Sequence, residues 1–448
     1  MKDRFSKRDV DLLIYGDTIL TMVPGNEIIS DGIIAVKDDS IVFIGKEGSL
    51  REPFNAKEVI TVKNGLIMPG LINSHTHAAM ACFRGMADDL PLMEWLNNYI
   101  FPVESKADGE LVYYGSLLAS AEMIRSGTTT FCDMYLFEDE AAKAAKLAGI
   151  RAVVGEVLFD FPSPNVKSHK EGLEYTEWLI NKWIGDPLIT PAVEPHAVYT
   201  CCPEFLVDTK ELSDKYSVPL IIHLSESERE VREVKERYGK SPVYLLEDIG
   251  FLGENLIADH CVCLTDDEMD ILKEYGVKVA HNPESNMKLA SGVAPVPELI
   301  SKGVCVGLGT DGCASNNDLD MFQEMDTAAK LHKVQKRDPT VMNAKQVVEM
   351  ATVGSARVLG LDDKIGTLEV GKKADLIVID MNKPHLTPLY NIYSHLVYAV
   401  SGADVTTVII NGKLVMKDRR LLTIDEDETM GKVREIALKV KENLKLSD

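Results

Sequence analysis

GLINSHTHAAM, residues 70–80, sets an apolar run against two histidines one residue apart. Side chains alternate between the two faces of a strand, so His75 and His77 point the same way and can grip one ion. Two polar residues at a strand end would look the same, so the surroundings must decide. Seven further runs resemble this one: TTTFCDM (128–134), IRAVVGEVL (150–158), LITPAVEPH (188–196), VPLIIHLSE (218–226), LIADHCV (256–262), VKVAHNP (277–283) and VCVGLGTDG (304–312). Helical stretches such as DGELVYYGSLLASAEMIRSG lie between them. Strands alternating with helices predict a parallel α/β arrangement. Eight such units close a (β/α)8 TIM-like barrel, with its site at the C-terminal strand ends.

Both ends of the chain read as β structure. DLLIYGDTILTM and DGIIAVKDDSIVFIG open it, and KKADLIVIDM and VTTVIINGKLVMKD come near its close, with turn-forming Gly, Asp and Asn between. This predicts a small β-sandwich domain built from both termini, residues 1–66 and 366–448, around a metal-dependent barrel over 67–365. DEDETMGKVREIALKVKENL (425–444) reads as a terminal surface helix, acidic in its first turn and lysine-bearing later, as the helix dipole favours. FPSPNVKSHKEG (161–172) reads as a loop.

The 448 residues are 45% hydrophobic and 26% charged, enough for one large domain and a smaller one. With 48 Lys and Arg against 70 Asp and Glu, the net charge of -22 argues against a general nucleic-acid or anionic-membrane surface. A small-molecule partner is expected, with a homo-oligomer compatible. MKDRFSKRDVDLLIYG lacks the apolar core of a secretory signal, and no run of 18 apolar residues occurs, so a cytoplasmic location is expected. The eight cysteines form no C-x2-C pair and read as reduced thiols.

Polar residues gather where the strands end. Strand one ends in His75 and His77, strand four in His196, strand five in His223 with Glu226 after it, strand six in His260, strand seven in His281 and strand eight in Asp311. Only His169, His332, His385 and His395 lie elsewhere. Nitrogen and carboxylate ligands around an open position are what a catalytic divalent ion requires. His75, His77, His223 and Asp311 supply that set for one ion per chain. Zn2+ is the default, with Fe2+, Mn2+ and Ni2+ as alternatives.

The chain resembles the amidohydrolase superfamily and, within it, the 5'-methylthioadenosine/S-adenosylhomocysteine deaminases. The resemblance spans nearly the whole length through MPGLINSHTH, RGMADDLPLMEWL, EPHAVYTC, IIHLSESE, ADHCV, HNPESNMKLASG, GLGTDGCASNNDLDMFQEM and IGTLEVGKKADLIVID. It implies a metal held by the residues matching His75, His77, His223 and Asp311, a ribose-binding carboxylate at Glu104, a substrate contact at His196 and an aromatic lid at Trp95, which in LMEWLNNYI reads equally as core packing along an amphipathic helix. Some relatives use arginines after strand three to meet the homocysteine carboxylate. This chain has Glu156 near one such position and only lysines in the loop that follows.

The implied reaction is hydrolytic deamination of an adenine nucleoside: 5'-methylthioadenosine, S-adenosylhomocysteine, 5'-deoxyadenosine or adenosine. Glu226 is the candidate acid for N1 of the base, and Asp311 both a ligand and the proton acceptor. His260 is expected to orient the attacking oxygen, while His281 and Asn282 read either as pocket-lining residues or as a structural strand end. The alternative is another mononuclear amidohydrolase, such as a guanine or triazine deaminase or hydrolase. Binuclear relatives carry a bridging lysine at the end of strand four, which TPAVEPH lacks. A barrel that has lost its chemistry would not need the complete set of polar strand ends.

Overall fold

The computed structural model describes residues 8–25, 27–50, 52–90 and 92–444. It begins with four strands, β1 (Arg8–Leu20), β2 (Ile28–Lys37), β3 (Ser40–Lys46) and β4 (Phe54–Pro69). Nine follow in the middle of the chain: β5 (Leu71–Thr76), β6 (Thr128–Tyr135), β7 (Arg151–Leu158), β8 (Ile189–Pro191), β9 (Glu194–Pro195), β10 (Leu220–Leu224), β11 (Leu256–His260), β12 (Lys278–His281) and β13 (Val306–Leu308). The last four are β14 (Leu376–Asp380), β15 (Val405–Ile410), β16 (Lys413–Lys417) and β17 (Arg420–Leu421).

The middle strands form two parallel arcs, β5 to β8 with β9 beside β7, and β10 to β13. Backbone bonds join the arcs on both sides. Val193 N donates to Pro219 O and Ile221 N to Val193 O, at 2.9 and 3.0 Å. On the other seam Thr310 N and Asp311 N both donate to His75 O, at 3.1 and 3.0 Å. With β8 and β9 counted as one interrupted strand, this is the (β/α)8 barrel that the apolar runs predict. Gly309 makes the second seam possible: a Cβ there would lie 2.4 Å from Asn282 Oδ1 and 2.8 Å from His75 N.

Alternation along each strand builds two apolar layers. Ile72, Val153, Ile221, Ile257 and Ala280 fill the barrel interior, whereas Leu71, Val154, Ile222, Ala258 and Val279 pack outward in a second cluster with the helices. Strands buried on both faces read as unbroken hydrophobic runs, which is why the sequence shows no polar alternation within them.

The terminal strands form one continuous eight-stranded sheet in the order β17-β16-β15-β14-β4-β1-β2-β3. The sheet curls on itself, so that a Cβ on Gly412, in the β15–β16 turn, would lie 2.1 Å from Asp38 O in the β2–β3 turn. Ile14, Ile34, Ile41, Leu376 and Ile409 share the core it encloses. A buried clamp ties this sheet to the barrel. Arg151, first residue of β7, donates through Nε and Nη2 to the two Asp375 oxygens at 2.9 and 3.2 Å. Charge-assisted bidentate bonds of this kind fix orientation strongly. The clamp lies where β7 starts, so the strand C-terminal ends are left free for chemistry.

The terminal helix Glu426–Leu444 keeps its acidic first turn. It is less superficial than its sequence suggests, because Val433, Ile436 and Val440 are buried in the same apolar cluster as Ile100 and Val103 from the segment over the barrel mouth. All eight cysteines are unpaired. Among the described residues no helix is long and apolar enough to cross a membrane.

Candidate active site

Pairing of β5 with β6 shifts register between Asn73 and Thr76. Such a bulge re-aims side chains beside a site, and here His75 and His77 turn towards the barrel axis. His223 reaches the same point from β10 and Asp311 from the turn after β13. One ring nitrogen each of His75, His77 and His223 lies within 4.8 Å of the others. His77 Nε2 is 3.1 Å from Asp311 Oδ1, and His75 Nε2 is 3.6 Å from it.

The other nitrogen of each ring is committed elsewhere. His77 Nδ1 meets Met134 O, and His223 Nδ1 meets His196 O at 2.9 Å. A carbonyl oxygen only accepts, so both Nδ1 atoms carry hydrogen and both Nε2 atoms keep a lone pair. His75 Nδ1 sits 3.0 Å from Asp259 Oδ2, while its Nε2 is buried without a hydrogen-bond partner. Three Nε2 atoms and a carboxylate oxygen thus converge, oriented by outer partners in the way metal-ligating histidines are. Burial disfavours charge on His75, yet the Asp259 and Asp311 carboxylates outweigh it and push the ring up to about 10. The point attracts positive charge, and a divalent cation fits it.

Asp311 adopts a left-handed φ of 61°, a conformation costly for a non-glycine residue and concentrated at functional sites. Burial opposes its ionisation, but contacts with His75 and His77 hold it well below the usual carboxylate range. Ser285 and Ser315 hydroxyls donate to Oδ2 at 2.6 and 2.8 Å, and Gly312 N donates to Oδ1 at 2.8 Å. The carboxylate is therefore fixed in rotation, with Oδ1 turned to the histidines. His260 is also left-handed, φ 69°, and its Nδ1 lies 2.8 Å from Asn286 Oδ1. His196 packs against His223 with ring centroids 4.8 Å apart, and burial lowers it to about 3, leaving it neutral.

Above this floor opens a cleft lined by His77, Trp95, Glu104, His196, His223, Glu226, His260 and Asp311 among others. Glu226 stands on a sharp turn, Ser225 having a φ of 51°. Glu230 holds that turn by accepting from Ser225 N and Glu226 N at 2.9 and 2.7 Å. Ser227 next caps the helix Glu228–Tyr238, so Glu226 is left to face the cleft, where Ser291 Oγ donates to it at 3.3 Å. Trp95 and Glu104 come from the helical segment 92–104, which crosses the mouth. Trp95 is 6% exposed and serves both readings of its sequence, as a core residue and as cleft wall. Burial raises Glu104 to about 7 against the opposing effect of Tyr135.

His281 and Asn282 take the structural one of their two readings and do not line the cleft; His281 Nε2 lies 3.1 Å from His332 Nε2 in the barrel wall, and Asn282 packs against the closing seam at Gly309. Glu156 is fully buried behind the cleft, accepting from Glu138 N at 3.1 Å and Asn165 Nδ2 at 2.9 Å. Its pKa is raised by burial to about 7. The folded state therefore holds a proton that the unfolded chain releases near its ordinary value, and stability falls as pH rises from about 4.5 to about 7. Glu156→Gln removes this loss. In thermal melts its Tm difference from wild type should grow between about pH 5 and about pH 8, by the equivalent of roughly 3 kcal/mol at most. A pH-independent difference would refute the assignment.

Asp259, Ser285, Ser315, Asn286 and Tyr135 escape the sequence reading. Asp259 had a signal: it lies two residues beyond Ile257, on the interior face of the same strand.

The amidohydrolase family model matches residues 66–415. The chain is 57% identical to 5-methylthioadenosine/S-adenosylhomocysteine deaminase 1 of Syntrophus aciditrophicus, over 98% of this chain and 99% of that protein. It is 48% identical to the 5'-deoxyadenosine deaminase of Methanosarcina acetivorans, over 95% and 98%. The crystal structure of an adenosine deaminase from Xanthomonas campestris with bound zinc superposes with a TM-score of 0.95 at 38% identity, covering 98% of this chain and 100% of that one.

Proposed function

Because this chain belongs to the amidohydrolase family, we propose that it is a metal-dependent hydrolase that converts adenine nucleosides to their inosine analogues and ammonia. The carrying observation is the convergence of His75, His77, His223 and Asp311 at the floor of a cleft that also presents Glu226, His260 and Glu104. Those four residues would hold one divalent ion, with zinc favoured by the nitrogen-rich set. When bound, such an ion supplies Lewis-acid activation of water near neutral pH.

The chain's own groups do the rest. Water adds to C6, so electrons move onto the ring and N1 must take a proton. Glu226, facing the cleft from its clamped turn, gives N1 that proton. Asp311 is ionised and fixed in rotation, and it takes the proton from the attacking water and passes it to the departing amine. The C6–N bond then breaks, the C6 hydroxyl proton returns to Glu226 as the carbonyl forms, and ammonia leaves. His260 Nε2 is free because Nδ1 is occupied by Asn286, and it orients the attacking water as acceptor. His196 contacts the base, Glu104 accepts from both ribose hydroxyls, and Trp95 walls the site. The eight unpaired cysteines are consistent with a cytoplasmic setting.

Ammonia release by purified zinc-loaded protein tests this with adenosine, 5'-deoxyadenosine, 5'-methylthioadenosine and S-adenosylhomocysteine. Turnover of at least one is expected. Absence of turnover on all four, with zinc bound, would overturn the nucleoside reading in favour of guanine or triazine chemistry.

A further inference from the structure

Resting on the deamination reading, we infer that the cleft selects nucleosides whose 5' substituent is small, uncharged and apolar, and that Phe101, Phe159 and Phe161 make that selection. With C6 at the ligand set and the ribose at Glu104, the 5' group faces the remaining wall, where Leu96, Ile100 and Phe101 from the mouth segment meet Val157 and Phe159. An aromatic row runs outward from this wall to solvent, with Phe101 and Phe159 in the lining and Phe161 stacked behind them. Phe159 packs on His196 with centroids 4.9 Å apart, Phe161 stacks on Phe159 at 4.7 Å, and Phe101 meets Phe161 at 6.3 Å. Phe161, at the outer end, is 45% exposed.

Charge points the same way. Among the described residues no lysine or arginine lines the cleft, and its charged groups away from the ligand set are the carboxyls Glu104 and Glu226. The cations of the loop after β7 are engaged elsewhere. Lys167 donates to Ser163 O and Pro164 O at 2.6 and 3.0 Å, Lys170 faces Glu174, and His169 faces Asp160 at 2.9 Å. An amino-acid tail on the 5' sulfur would bring its carboxylate against aromatic rings with no counter-charge, and desolvating an unpaired charge is costly. A methyl or methylthio group instead gains apolar contact and, for sulfur, favourable contact with ring edges. A separate groove past Leu289 carries Arg232 together with Lys288, paired with Asp88, and Arg229, paired with Glu233.

Steady-state kinetics on the zinc-loaded enzyme decide the matter. The kcat/KM for 5'-deoxyadenosine and 5'-methylthioadenosine should exceed that for S-adenosylhomocysteine at least tenfold. Phe161→Arg places a cation at the exposed end of the row, and should narrow that ratio severalfold by raising kcat/KM for S-adenosylhomocysteine. Equal or better use of S-adenosylhomocysteine by the wild type would overturn the inference, as would a ratio unmoved by Phe161→Arg. Adenosine separates the two levels of the argument. Turnover of adenosine with S-adenosylhomocysteine preferred defeats only the selection, whereas no turnover of any nucleoside defeats the deamination reading and this inference with it.

Discussion

Glu226→Gln protein is expected to bind its metal and nucleoside normally and to release ammonia about 10³-fold more slowly, the scale of a lost general acid. The substitution keeps shape and hydrogen-bonding capacity but cannot supply N1 with a proton. The surrounding turn should survive, because its two backbone amides are held by Glu230 and not by Glu226 itself. Single-turnover ammonia release and metal analysis on the same sample check the result. Normal turnover would remove Glu226 from the chemistry, and loss of metal would recast it as part of the ligand environment.

Removing the ion should have a still larger effect. Dialysis against a strong chelator is expected to bring deamination to the uncatalysed background and to lower Tm by several degrees. A ligand that binds only the folded state at a thousand times its Kd adds about 4 kcal/mol to stability. Adding zinc back, one equivalent per chain, should restore both. Three histidines whose Nδ1 atoms face Asp259, Met134 O and His196 O have no other use for their inward nitrogens. Undiminished turnover in protein shown to be metal-free would contradict this assignment.

The barrel was legible because its strands are buried on both faces, so eight apolar runs could be counted directly, six of them ending in His, Glu or Asp. His75 and His77 were legible as a pair, but the bulge that turns them inward was not, since a register shift leaves no mark in one strand's sequence. Strand-end position alone could not decide His281, whose ring is met in the barrel wall by His332, 51 residues further along the chain. Glu156 stood near the place of a substrate-binding arginine in the resemblance, yet its side chain is buried behind the cleft. The serines on Asp311 and the aromatic row come from segments brought together only by the fold: Ser285 and Ser315 are far apart in sequence, as are Phe101 and Phe161. Asp259 was within reach, because parity from Ile257 puts it on the interior face.

The most direct test is mass spectrometry of the nucleoside product after turnover of 5'-deoxyadenosine or 5'-methylthioadenosine in oxygen-18 water. Hydrolytic attack at C6 gives the intact inosine analogue carrying one labelled oxygen on the base, with one ammonia per nucleoside consumed. Free adenine, or a product without label on the base, would mean that the water is not delivered to C6 and that the roles given to Glu226 and Asp311 are wrong.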